Sequence, residues 1–258
     1  VSASRTEHIA EGITLHLGDC RDILPTLGAV GATITDPPYE SHMHDGPSKL
    51  ESSGKRKDGR DWHRRPDFAS IDGIRKTVTP LMVDATQSWL LAFCTPEGVA
   101  PWRDAIETAG ARYKRACFWE KPDSAPQFNG QGPAMGVEAF VTAWCGQGHS
   151  RWNGGGRRNL FRHLTNQPDR HGEHPTEKPV PLMVELIDLF TFPNDLVCDP
   201  FMGSGTTGIA CVKRGRRFVG IEINERYFDI ACKRIEEATR QNDLFIERPA
   251  PARQEAFL

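Results

Sequence analysis

Short apolar runs bounded by turn residues punctuate this chain. Residues 13–17, 32–35, 88–94, 115–119, 139–145, 196–199 and 218–222 each have the length and apolar character of a buried strand. Between them the apolar positions spread out to a helical period. Met183, Leu186, Ile187 and Phe190 form one such stripe. Tyr227, Ile230, Ala231 and Ile235 form another, with Asn224 placed as its N-cap. Residues 206–212 follow a glycine turn and open a further helix. Strands alternating with helices predict an α/β fold around a mainly parallel sheet, as one domain over 1–242 with a loose tail at 243–258. Two long segments break the alternation. Residues 40–71 are polar and charged, and 146–174 hold Gly154-Gly155-Gly156 and many arginines. Loops of that length inside a domain are usually functional or disordered.

A chain of 258 residues can bury one sizeable core. Its net charge of −2 excludes a global basic field, so any attraction to nucleic acid must be local. Two local sources exist. One is Lys55, Arg56, Lys57, Arg60, Arg64 and Arg65, set against Asp58 and Asp61. The other is His149, Arg151, Arg157, Arg158, Arg162 and His163, with no acid between Gly146 and Gln167. The seven cysteines form no C-x-x-C pair, which fits buried thiols in a reducing cytoplasm rather than disulfides or zinc. His42, His44 and His63 share a loop but lack a metal-binding frame, so no metal site is expected. No apolar run is long enough to cross a membrane and no N-terminal signal pattern is present, so a soluble, cytoplasmic protein without a membrane partner is expected.

Two stretches carry chemistry. In the later one, the apolar run 196–198 ends at Asp199, and Pro200-Phe201-Met202-Gly203-Ser204-Gly205-Thr206-Thr207 turns into a helix. Gly203 and Gly205 allow a sharp turn and close approach of a ligand. The helix N-terminus beyond favours a carboxylate or another anion. About twenty residues on, Glu222 ends the next strand, where an acid can bind ribose hydroxyls. Gly203, Gly205 and Gly208 also fit a dinucleotide-binding spacing. Alone, this half fits that reading and an S-adenosylmethionine pocket about equally.

The earlier stretch is Asp36-Pro37-Pro38-Tyr39, at the end of the run 32–35. The exocyclic amine of a nucleobase is a poor nucleophile because its lone pair is delocalised into the ring. A site that activates it must place hydrogen-bond acceptors against both N–H groups. Asp36 offers a carboxylate oxygen and Pro37 a carbonyl, which the two prolines hold rigidly. Tyr39 offers a flat face for an unstacked base.

Together these residues resemble the amino-group DNA methyltransferases (N6-adenine and N4-cytosine), and the likeness covers most of the chain. Gly18-Asp19-Cys20 is similar to the family's adenine-contacting segment, and Phe118-Trp119-Glu120-Lys121-Pro122 to a strand and turn that follow the catalytic motif. His174-Pro175-Thr176-Glu177-Lys178-Pro179 resembles the segment whose Thr and Lys lie near the methionine part of the cofactor. The order, Asp-Pro-Pro-Tyr first and cofactor loop late, resembles the permuted β class and sets the dinucleotide reading well behind.

The resemblance implies a circularly permuted, Rossmann-like fold with a seven-stranded sheet. It implies S-adenosylmethionine as cofactor, held by Asp19, Cys20, Asp36, Thr176, Lys178, Asp199, Pro200, Phe201, Gly203, Ser204, Gly205, Thr206, Glu222, Ile223 and Asn224. The catalytic set is Asp36, Pro37, Pro38 and Tyr39. Double-stranded DNA is the implied substrate. Asp rather than Ser at the first catalytic position leans to adenine N6, with cytosine N4 the alternative. An RNA methyltransferase and a silent DNA-binding protein are more distant rivals. Many relatives insert a large target-recognition domain, whereas here only 146–174 and the loop after Tyr39 are free for that task. Lys55, Arg56, Lys57, Arg60, Arg64 and Arg65 are therefore expected on phosphates, and Arg151, Trp152, Arg157 and Arg158 are expected to include base-reading contacts. The family includes dimers and members paired with a restriction endonuclease; no interface for either is legible in the chain.

Overall fold

A computed structural model of the chain describes residues 5–40, 70–126, 131–165 and 177–243. A nine-stranded sheet runs through them in the order β1-β2-β9-β8-β3-β4-β6-β5-β7. Its strands are β1 (Arg5–Ala10), β2 (Ile13–Leu17), β3 (Ala32–Thr35), β4 (Trp89–Cys94), β5 (Arg112–Glu120), β6 (Val137–Trp144), β7 (Leu160–Arg162), β8 (Leu196–Asp199) and β9 (Arg217–Glu222). The helices are α1 (Cys20–Ile23), α2 (Arg75–Ala85), α3 (Val99–Thr108), α4 (Val180–Phe190), α5 (Thr206–Lys213) and α6 (Glu225–Asp243). All seven predicted strands are present, but the expected count of seven is corrected to nine. β1 adds antiparallel to β2 through a turn at Gly12, whose φ of 75° suits glycine. β7 adds parallel to β5 inside the segment expected to be loop.

The sheet divides its side chains by period two. On β4, Leu91 and Phe93 join α4, α5 and α6 in one core that includes Leu186, Ile209 and Ile235. Leu90, Ala92 and Cys94 face the other way, toward Ile23, Met82 and Trp102 from α1, α2 and α3. Both faces are covered, which is why β3 and β4 read as unbroken apolar runs. No helix among the described residues is long and apolar enough to cross a membrane.

The winding places the site. β8-α5-β9 runs outward in one direction and β3-α2-β4 in the other. β3 and β8 lie side by side and parallel, pairing Ala32 with Val197 and Thr33 with Cys198. The reversal between them opens a crevice at their carboxyl ends, where ligands bind in open α/β sheets. Asp36, one residue past β3, and Asp199, the last of β8, emerge at that edge.

Candidate active site

Four adjacent parallel strands, β2, β9, β8 and β3, each deliver an acid to the same edge: Asp19, Glu222, Asp199 and Asp36. Their environments differ. Asp19 caps α1, accepting from the Arg21 amide at 2.8 Å and pairing with its guanidinium at 2.5 Å, which holds the carboxyl below its usual range. Cys20 behind it is buried. Asp199 is spent within the fold. It accepts from Thr35 Oγ1 at 2.7 Å, Thr207 Oγ1 at 2.6 Å and the Phe201 amide at 3.1 Å. It therefore straps β3, the glycine turn and α5 together. Burial pushes its carboxyl up to about 6 against those hydrogen bonds.

The turn itself uses Gly203 and Gly205 in the left-handed region, with φ of 52° and 85°. The Gly203 amide donates to Glu222 Oε2 at 2.9 Å, and the Asn224 amide to Glu222 Oε1 at 2.8 Å. Each carboxylate oxygen keeps a second lone pair. Burial pushes the Glu222 carboxyl up to about 7, with the Asn224 and Gly203 amides only partly opposing it. Ile223 beside it is 66% exposed, a bare apolar surface next to this acid. Asn224 caps α6, its Oδ1 accepting from the Arg226 and Tyr227 amides at 3.0 and 3.3 Å. Pro200, Ser204 and Thr206 are buried, and Phe201 is half-buried. Gly208 is a packing glycine, since a Cβ there would meet Ile235 and Phe218.

At the other side of the crevice, Lys178 Nζ donates to Asp36 Oδ2 at 2.6 Å and to the Tyr39 hydroxyl at 3.1 Å. The resemblance implies a place for this lysine near the methionine part of a cofactor; the structure sets its ammonium against the Asp-Pro-Pro-Tyr motif. Asp36 Oδ1 has no hydrogen-bond partner among the described residues. Nothing described donates to the Pro37 carbonyl either. Burial pushes the Asp36 carboxyl up to about 6, and Lys178 opposes the shift. Burial is also the main reason the Tyr39 hydroxyl is held far above its usual range.

Two buried ion pairs frame the motif, and both lie beyond the residues picked out from sequence. Glu40 accepts from Arg75 Nη2 at 2.9 Å and from Thr95 Oγ1 at 3.0 Å. It fixes the end of the motif to α2 and to the end of β4. Glu40→Ala is expected to cost about 3 kcal/mol of unfolding free energy, because among the described residues the buried Arg75 guanidinium then keeps Asp72, on the exposed side, as its one carboxylate partner. Urea unfolding of the variant beside Arg75→Ala and the double variant checks this; additive losses would mean the pair is not coupled. The second pair is Glu177 with Arg234 of α6, whose Nη1 also donates to the Ser204 carbonyl at 2.8 Å. It ties the residue before Lys178 to the glycine turn. Thr176 lies outside the described residues, as do Lys55, Arg56, Lys57, Arg60, Arg64, Arg65, His42, His44 and His63.

The basic segment after β6 is partly used for folding. Trp152 packs edge-on to Phe190 at 4.9 Å and donates its indole N–H to the Gly155 carbonyl at 2.7 Å. Arg157 pairs with Glu185, which His163 also contacts at 2.5 Å. Arg151 is exposed, with its guanidinium 6.0 Å from the Phe192 ring centroid. Arg158 is exposed and has no partner among the described residues.

An open α/β sheet with a glycine turn, a buried acid ending β9 and an aspartate-proline motif along one carboxyl edge matches the plan of a Rossmann-like methyltransferase. Comparison with known proteins agrees. A family model for N6/N4 methylases, described as DNA methylase, matches residues 137–233. Over 265 residues the chain is 29% identical to the type II methyltransferase M.Cfr9I of Citrobacter freundii, covering 87% of this chain and 88% of that protein. It is 42% identical over 71 residues to the DNA adenine methyltransferase YhdJ of Escherichia coli (strain K12), covering 28% of this chain and 24% of that protein. The fold superimposes on the crystal structure of the M1.HpyAVI–SAM complex with a TM-score of 0.66 and 25% identity, covering 86% of this chain and 98% of that one. In sequence and in fold the chain is similar to the N6/N4 amino-group DNA methyltransferases.

Proposed function

We propose that the protein methylates the exocyclic N6 amine of adenine in double-stranded DNA, using S-adenosylmethionine. The observation that carries this reading is the pair of acceptors without described donors, Asp36 Oδ1 and the Pro37 carbonyl, at the edge of the glycine-turn crevice. An amine with two N–H groups is the donor such a pair suits. The cofactor fits the residues present: Glu222 for the ribose hydroxyls, Ile223 for a flat apolar ring, and the Gly203–Gly205 turn for a close-lying chain. When bound, S-adenosylmethionine supplies the methyl group as an electrophile, its sulfur keeping the electron pair of the broken carbon–sulfur bond.

The protein's part is orientation and proton acceptance. Asp36 and Pro37 draw the two N–H bonds toward themselves and so turn the nitrogen lone pair out of conjugation. As the new nitrogen–carbon bond forms, the nitrogen sheds one proton, for which Asp36 is the acceptor in reach. Lys178 steadies the carboxylate, and Tyr39 offers a stacking face worth about 1–3 kcal/mol per base. Buried thiols take no part: burial pushes Cys20 and Cys117 up to about 12, so neither is poised as a nucleophile. Asp at the first motif position, with the likeness to an adenine methyltransferase, favours adenine over cytosine N4.

The target base must leave the duplex, at a cost of a few kcal/mol, and basic side chains around the crevice hold the distorted strand. Arg151 and Arg158 stand exposed for this role, joined in the proposal by Lys55, Arg56, Lys57, Arg60, Arg64 and Arg65. Replacing Arg151 and Arg158 with Gln is expected to weaken duplex binding and flatten its logarithmic salt slope by about 2. Fluorescence anisotropy over a salt series measures it; an unchanged slope removes both residues from the interface. Uptake of labelled methyl by unmodified duplex DNA, but not by RNA of the same sequence, is the test of the reaction. Preferential labelling of RNA would overturn it.

A further inference from the structure

Four charged side chains of alternating sign run from Lys121 through two buried groups to Asp36 of the Asp-Pro-Pro-Tyr motif. Lys121, one residue past β5, donates to Glu138 Oε2 at 2.6 Å and lies 4.5 Å from the Trp119 ring centroid. Glu138, second residue of β6, places Oε1 2.8 Å from Lys178 Nζ. Lys178 in turn holds Asp36 Oδ2 at 2.6 Å. The side chains of Lys178 and Glu138 are 4% and 7% exposed, and those at the two ends, Lys121 and Asp36, 18% and 23%. Burying such a chain costs more desolvation than an apolar filling of the same volume, so the fold gains little by it.

Its effect is on Asp36. Lys178 alone would form a closed ion pair with that carboxylate, and its full charge would draw the electron density needed to accept the amine's hydrogen. Glu138 takes a share of the same ammonium. We propose that Glu138 is a positioning residue for methyl transfer: anchored by Lys121, it holds Lys178 against Asp36 and divides its charge, leaving Asp36 Oδ1 a competent acceptor. This rests on the function proposed above. The other titratable groups facing the chain are Tyr39 and Asp199 beside Asp36, and Cys94 of β4, behind which Glu40 and Arg75 pair. Burial raises the Asp36 carboxyl, Lys178 lowers it, and Glu138 raises it again. Lys178 stays cationic because Asp36 and Glu138 together outweigh its burial.

The test uses Glu138→Gln, which keeps the shape and an oxygen for Lys178 but removes the charge. The Asp36 carboxyl is titrated by carbon NMR in the full chain, with Asp36→Asn to assign its signal. Its midpoint is expected to fall by roughly 1 pH unit in Glu138→Gln. Lys121→Gln, at the partly exposed end, is expected to move it the other way, and Glu138→Asp to restore most of the original value. In single-turnover methyl transfer to duplex DNA, Glu138→Gln is expected to lower the maximal rate about tenfold, with its acid limb shifted to lower pH and cofactor affinity within twofold. An Asp36 midpoint that neither variant moves would overturn the proposal. The titration needs no turnover, so it judges Glu138 even if the unaltered protein methylated no DNA, a result that would overturn only the reaction.

Discussion

Asp36→Ala is expected to slow methyl transfer by about 10²- to 10⁴-fold while leaving cofactor affinity within a few-fold. The residue ends one side of the crevice, and its Oδ1 is the buried acceptor left open. Removing it leaves the amine with the Pro37 carbonyl alone and the proton with no nearby base. The proposed cofactor groups lie at the ends of β9 and β8 and do not depend on Asp36 for position; Thr35 and Asp199 make that link at 2.7 Å. Lys178 keeps Glu138 as counter-ion, so the variant is expected to fold. Single-turnover rates with calorimetric titration of S-adenosylmethionine separate the two effects. A loss confined to cofactor affinity, with the rate at saturation intact, would mean that Asp36 serves the cofactor and not the amine.

Glu222→Ala is expected to weaken S-adenosylmethionine binding by at least about 10²-fold, since two ribose hydroxyls would each lose a charged acceptor worth about 1.5–3 kcal/mol. The same residue makes binding depend on pH. Burial pushes its carboxyl up to about 7, and only the charged form accepts both hydroxyls well. As pH falls through about 7, cofactor affinity is therefore expected to drop toward tenfold per unit, and binding at pH 7 to release protons. The ligand-free protein responds in the opposite sense. Glu222, Asp36 and Asp199 titrate above their ordinary values, so the stability they contribute is full below about pH 4 and is lost progressively until pH passes about 6 to 7. Glu138, Glu185 and Asp19 are held low, and their contribution is lost only below the ordinary carboxylate range. Thermal unfolding of the ligand-free protein is expected to peak near the ordinary carboxylate range, about pH 4–5, and to fall as pH rises toward 7. Calorimetry of binding from pH 5.5 to 8 checks Glu222; affinity flat over that window would contradict its assignment.

What the sequence shows and hides has physical causes. The central strands were legible because both faces are covered, which leaves unbroken apolar runs such as 89–94. The glycine turn and the double proline were legible because few residues can replace them. The edges were not. β1 opens with four polar residues, exposed and half-buried in turn, and β7 has three residues. α2 was hidden by Pro80, which removes a donor from its own helix, and α3 buries only Trp102 and Ile106. In the site, Asp36 and Glu222 announce themselves by their place at strand ends. Glu138 does not, because it opens an apolar strand and meets Lys178 only through the β3-β4-β6-β5 order of the sheet. A lone acid at the head of an otherwise apolar run was the available signal. Trp152 and Arg157 show the converse. An aromatic and a cation in a glycine-rich segment look ready for DNA, yet Phe190 and Glu185 engage them from α4.

The measurement closest to the central claim is the chemical identity of the product. Unmodified duplex DNA is incubated with the protein and methyl-labelled S-adenosylmethionine, digested to nucleosides and resolved by mass. The label is expected on an exocyclic nitrogen, as N6-methyl-2′-deoxyadenosine, and is expected to be lost with Asp36→Ala. Label on the cytosine N4 amine would keep the two-acceptor mechanism and change the base. Label on a ring carbon, or unaltered labelling by the Asp36→Ala protein, would contradict the claim that Asp36 and the Pro37 carbonyl activate an amine.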